Sequence, residues 1–185
     1  MAGIELPTKI RFMSADEYNI VKGVMGDTLP FRRRILMTDA CGVDGRAFTI
    51  PTSLLTSILS VPSQGFFGGV SLGYLASFVN LAYLINVGSA KYDEMATTHK
   101  ALLVHETMHV WQGKNSTFAL SYVFNSVINQ CMSGQGAYSY SLGQDWSSYG
   151  VEQQAKIVED WYAAGSSSSH AAFTYIENSV RKGKV

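Results

Sequence analysis

This sequence is short of charge. Charged residues make up 15% of the chain, and the 14 basic side chains are matched by 14 acidic ones. Gripping nucleic acid needs a concentrated positive surface. No basic run supplies one, since Arg181, Lys182 and Lys184 form a short tail that reads as a solvated end. Nucleic acid is therefore not an expected partner. Cysteine is scarce too. Cys41 and Cys131 stand far apart, without a CxxC or other metal-binding spacing, and read as buried, reduced apolar residues. They could pair only in an oxidising compartment. The first residues lack a basic start followed by an apolar core, so no secretory signal is expected. The expected location is the cytoplasm, or export by a system that reads no signal peptide. Internal repeats and dividing linkers are also missing, and the length suits one domain over residues 1–185.

Hydrophobic residues, by contrast, make up 46%, enough for a sizeable core. Much of that material lies in residues 66–87, a run long enough to span a bilayer. Gly68, Gly69, Gly73 and Asn80 interrupt it, and no basic clusters flank it. It reads as a buried helix followed by a buried strand, and membrane contact is not expected.

Along the chain, Ser14 and Glu17 form a capping-box pattern that predicts a first helix. Strands are expected over 33–38 and 47–50, with a hairpin or tight loop in the Gly- and Asp-rich segment between them. A short helix is expected over 52–60, a turn over 65–69, a helix over 71–79 and a strand over 83–87. The next helix should start near Tyr92 or Met95 and stop at Gly113. Three more are expected over 118–132, 149–164 and 169–181, with a serine loop over 166–169. The fold class is mainly helical α+β with a small sheet in the N-terminal half.

Chemistry concentrates in LLVHETMHVWQG, residues 102–113. His105 and His109 are four apart, so on a helix both imidazoles share one face and can reach one Zn²⁺ at about 2.0–2.1 Å. Glu106 projects at a different angle. It can act as general base on a water that zinc has acidified, without being a ligand. The apolar flanks imply a buried helix, where unsatisfied His and Glu side chains are costly. The competing reading is a buried helix with two neutral, hydrogen-bonded histidines and a chance glutamate.

A catalytic zinc site takes a third protein ligand and leaves one position open. Asn115 stands where the short metzincin spacing would need a histidine. The candidates left are His170 and the downstream carboxylates. Glu152 is the best of these, because it sits in the first turn of an amphipathic helix, flanking a stripe of Val151, Ala155, Val158 and Tyr162. The helix dipole alone would also favour a glutamate there. Glu159 and Asp160, two turns on, are candidates to orient a ligand histidine.

These residues resemble the gluzincins, a zincin class of HExxH metallopeptidases. More closely, they resemble a bacterial group of zincin-like domains met near secretion-system, Rhs-type or contractile-injection genes. Its members carry a helix of the form VHExxHVWQ and a later helix of the form ExxA. Here these are Val104 to Gln112 and Glu152 to Ala155. AYSYSLG (137–143) and EQQAKIVEDWY (152–162) add to the likeness, which spans residues 100–165. It implies a zincin-like fold, one zinc held by His105, His109 and Glu152, Glu106 as base, and a protein or peptide substrate. A secretion-system or immunity partner is implied as well. The ExxxD pattern of thermolysin-like enzymes is broken, because Lys156 stands four after Glu152. Zincins often stabilise the oxyanion with a tyrosine or histidine, and His170, Tyr138, Tyr140 and Tyr149 are the candidates.

Three functions follow for testing. The first is a zinc metallopeptidase, an effector or processing enzyme. The second is a non-catalytic adaptor or cargo module stapled by zinc. The third is a membrane-acting protein using the apolar run.

Overall fold

The computed structural model describes residues 8–39, 47–51, 83–116 and 138–185. The helices expected over 52–60, 71–79 and 118–132, the turn over 65–69, most of the apolar run, and Cys41 and Cys131 lie outside the described residues. The fold is α+β. Its elements are β1 (Ile10–Phe12), α1 (Ala15–Met25), β2 (Ile35–Thr38), β3 (Phe48–Pro51), β4 (Tyr83–Asn86), α2 (Lys100–Asn115), α3 (Val151–Ala163) and α4 (Phe173–Asn178).

α1 starts where the capping box requires. Ser14 Oγ accepts the Glu17 N–H at 3.1 Å, and Glu17 Oε2 accepts the Ser14 N–H at 2.7 Å. The same carboxylate takes two bonds from Arg11, at 2.6 and 2.8 Å. That bidentate pair ties β1 to the head of α1.

The sheet runs β1-β2-β4-β3. β1 is antiparallel to β2, β2 is parallel to β4, and β3 is antiparallel to β4. β2 and β3 do not pair as a hairpin would, because β4 lies between them, and the Gly- and Asp-rich segment over 40–46, expected as a hairpin or tight loop, lies outside the described residues. Burial explains the order. Every residue of β2 and β4 is buried, as interior strands covered on both faces require. β3 starts half-buried at Phe48 and ends at Pro51, which has no N–H to give a further neighbour and so suits an edge.

α2 starts at Lys100 rather than at Tyr92 or Met95. A 3-10 turn at Tyr92–Glu94 and further turns through residue 98 precede it. Gly113 does not stop the helix, which runs on to Asn115. The glycine serves a close approach instead. A Cβ there would stand 2.7 Å from Tyr83 Cε1 on β4. Residues from Leu103 through Gly113 are all buried, so α2 is the central helix, enclosed by α1, α3 and the β3–β4 side of the sheet.

α3 presents Glu152, Gln154, Ala155, Ile157, Val158 and Trp161 to the interior. The expected stripe is turned by about one residue. Val151 and Tyr162 fall to its margins and Glu152 enters the buried face. The helix expected over 169–181 is shorter. α4 ends at Asn178, Ser179 leaves helical geometry, and a 3-10 turn at Val180–Lys182 follows. That turn docks on α2, where the Trp111 indole donates to Val180 O at 3.0 Å and to Thr28 Oγ1 at 2.8 Å. No helix among the described residues is long and apolar enough to cross a membrane.

Candidate metal centre

The site is built where α2 meets the first turn of α3. Four-residue spacing stacks His105 and His109 on one face, their ring centroids 5.1 Å apart and nearly perpendicular. Glu152 faces both rings. Its Oε2 is 3.3 Å from His105 Nε2, and its Oε1 is 3.4 Å from His109 Nε2. All three ligand atoms fall within 4.8 Å of one another, and all three residues are buried. The group can hold a metal ion.

Several features fit a cation. His109 Nε2 is buried and makes no hydrogen bond, a costly state for a polar atom unless something else satisfies it. Each ring also has its other nitrogen engaged. His105 Nδ1 lies 2.8 Å from Glu159 Oε2, and His109 Nδ1 lies 2.9 Å from Gln112 Oε1. An acceptor at Nδ1 draws the proton there and leaves Nε2 as the lone-pair nitrogen, the arrangement metal-ligating histidines commonly show. Two imidazoles and a carboxylate match the donor set of catalytic zinc sites.

Electrostatics argue the same way. Burial works against a charged His105, but the hydrogen bonds to Glu152 and Glu159 outweigh it and push its pKa up to about 10. The two carboxylates thus favour a positive charge at His105. A metal ion at Nε2 would supply that charge in place of a proton. Burial would raise the Glu159 carboxyl, yet the hydrogen bond and charge of His105, with the Lys156 ammonium, hold it below its ordinary value. Lys156 Nζ sits 3.1 Å from Glu159 Oε1.

Glu106 is not one of the three ligand residues. Its carboxylate accepts the Thr49 hydroxyl at 2.9 Å, and the same hydroxyl lies 3.0 Å from the Glu106 carbonyl. β3 thus braces the glutamate from the sheet side. Burial raises the Glu106 pKa above the ordinary carboxylate value, against the pull of His109, His105 and Thr49.

The remaining candidates scatter. The Tyr138 ring lies 6.1 Å from that of His105. The Tyr140 hydroxyl donates to Asp160 at 2.8 Å, and Asp160 also pairs with Lys156 at 2.9 Å, so Asp160 braces the 138–145 segment while Glu159 takes the histidine. Tyr149 is buried, donating to Ser141 O and meeting the Tyr175 hydroxyl. His170 caps a turn before α4, its Nδ1 accepting the Ala172 N–H at 3.1 Å. Sequence reasoning assigned no role to Thr49 or Gln112. Gln112 had a signal, since it sits three after His109 on the same helical face. Thr49 had none, because its partner is distant in the chain.

No protein-family model, no curated protein and no solved structure matches this chain.

Proposed function

We propose that this protein is a zinc-dependent metallopeptidase acting on a protein or peptide substrate. One observation carries the reading: a buried two-histidine, one-glutamate group with a further carboxylate, Glu106, next to a ligand and braced by Thr49. Zinc held by His105, His109 and Glu152 would supply a Lewis acid able to polarise a scissile carbonyl and to help a water lose a proton near neutral pH. Glu106 takes that proton as the water oxygen attacks the carbonyl carbon. It then passes the proton to the amide nitrogen as the C–N bond breaks. Tyr138 is the candidate donor to the developing oxyanion, because its ring stands beside that of His105. The zincin-like fold, the effector or processing role and a secretion-system or immunity partner belong to the same proposal and rest on the sequence resemblance.

A second reading is a non-catalytic module stapled by zinc. The burial of the ligands favours it, since His105, His109 and Glu152 are only 5–7% exposed. One set of measurements separates the two. Metal content is determined by mass spectrometry on wild type, His109→Ala and Glu152→Ala. Peptide hydrolysis is then assayed on a peptide library with Glu106→Gln as control. Peptidase function requires about one zinc per chain, lost or weakened in the two ligand variants, and hydrolysis that Glu106→Gln abolishes while keeping the zinc. Zinc without hydrolysis selects the stapled module. No zinc after reconstitution overturns both.

A further inference from the structure

The α2–α3 junction contains a ladder of side-chain amides whose direction is set at both ends by main-chain carbonyls. Gln154 Nε2 donates to Trp146 O at 3.1 Å. That leaves Gln154 Oε1 as an acceptor, and Gln112 Nε2 donates to it at 3.0 Å. Gln112 Nε2 also donates to Val151 O at 2.9 Å. A main-chain carbonyl can only accept. Neither amide can therefore turn over without setting an NH₂ group free or an oxygen against an oxygen. Gln112 Oε1 is consequently the atom facing His109 Nδ1, at 2.9 Å, and His109 must be the donor.

We propose that Gln112 is a positioning residue that fixes His109 as the Nδ1–H tautomer and keeps the Nε2 lone pair free for the metal. The inference rests on reading His105, His109 and Glu152 as metal ligands. The ladder has a second consequence. Val151 and Gln154 belong to the first turn of α3, the turn that carries Glu152. One buried glutamine therefore sets the tautomer of one ligand and docks the turn bearing another, so two ligands distant in the chain are aligned by one side chain. Both glutamines are 1–2% exposed, which keeps water from competing for these bonds.

The test uses the metal-free protein and its variants Gln112→Met and Gln112→Glu. The His109 tautomer is read from imidazole ¹⁵N shifts in long-range NMR spectra at alkaline pH, and zinc affinity from competition with a chromophoric chelator. Wild type should show Nδ1–H, although histidine free in water favours Nε2–H. Gln112→Met should lose that preference and bind zinc about 10–100-fold more weakly. Gln112→Glu keeps an acceptor for His109 but can no longer donate to Val151 and Gln154. It should retain the tautomer and bind zinc more tightly than Gln112→Met. A space-filling role predicts the reverse order, since the buried carboxylate would then do more damage than methionine; that order would overturn the proposal. So would an unchanged tautomer in Gln112→Met. Should both variants fail to fold, the wild-type spectrum decides: Nδ1–H supports the proposal and Nε2–H overturns it. Wild type that takes no zinc sinks the metal reading separately, while the tautomer comparison still judges Gln112.

Discussion

Glu159 Oε2 lies 2.8 Å from His105 Nδ1, seven residues along α3 from the carboxylate that faces the other nitrogen of the same ring. Seven residues are about two helical turns, so Glu152 and Glu159 lie on nearly the same face of α3 and grip one imidazole from both sides. Glu159→Gln keeps an acceptor but removes its charge. Zinc affinity should fall about tenfold, the lower end of what losing such a partner costs, with little change in helix content. A competition titration measures it. Unchanged affinity would mean that Glu159 does not orient the ligand.

Thr49→Val removes the hydroxyl that braces Glu106 while preserving side-chain shape. Zinc stoichiometry should stay as in wild type, because β3 supplies no ligand. Turnover should drop by about 10–100-fold, the range expected when a hydrogen bond to a charged group worth about 1.5–3 kcal/mol is lost. Steady-state kinetics beside metal analysis separates the two effects. Loss of zinc in this variant would show that Thr49 supports the ligands instead.

Stability should depend on pH through Glu17. Burial raises its pKa, but the Arg11 hydrogen bond, the Ser14 N–H and the Arg11 charge prevail, and the folded value lies below the ordinary 4.5. The stabilisation is therefore complete above the unfolded-state pKa and fades as pH falls through the folded one. Glu17→Gln should cost about 1–2 kcal/mol at neutral pH, since Arg11 is partly exposed to solvent. The gap to wild type should close in acid. Urea melts across that pH window provide the check, and a gap that persists in acid would place the effect in packing rather than charge.

Gly113→Ala should destabilise, although alanine is the better helix former by about 1 kcal/mol. The added methyl group meets the Tyr83 ring at 2.7 Å, and crowding of this kind costs about 1–3 kcal/mol. In a Tyr83→Leu background the cost should shrink. A double-mutant cycle reads the coupling directly, and additive effects would show that the ring is not the obstacle.

Local pattern determined a good deal of this protein. Ser14 and Glu17 marked the head of α1, four-residue spacing put His105 and His109 on one face of α2, and amphipathic period placed Glu152 in the opening turn of α3. Those features are legible because capping and helical phase depend on residues a few positions apart. The tertiary structure decided the rest. The chain does not turn β2 back onto β3, since β4 fits between them. Gly113 is a packing residue because a tyrosine from that distant strand leans on it. Glu159 rather than Asp160 holds His105, because α2 packs against one side of α3 and only one of two neighbouring carboxylates faces it. Thr49 reaches Glu106 through sheet order alone. Each of these is a contact between segments far apart in the chain, fixed by which buried faces meet and not by any periodicity within a segment.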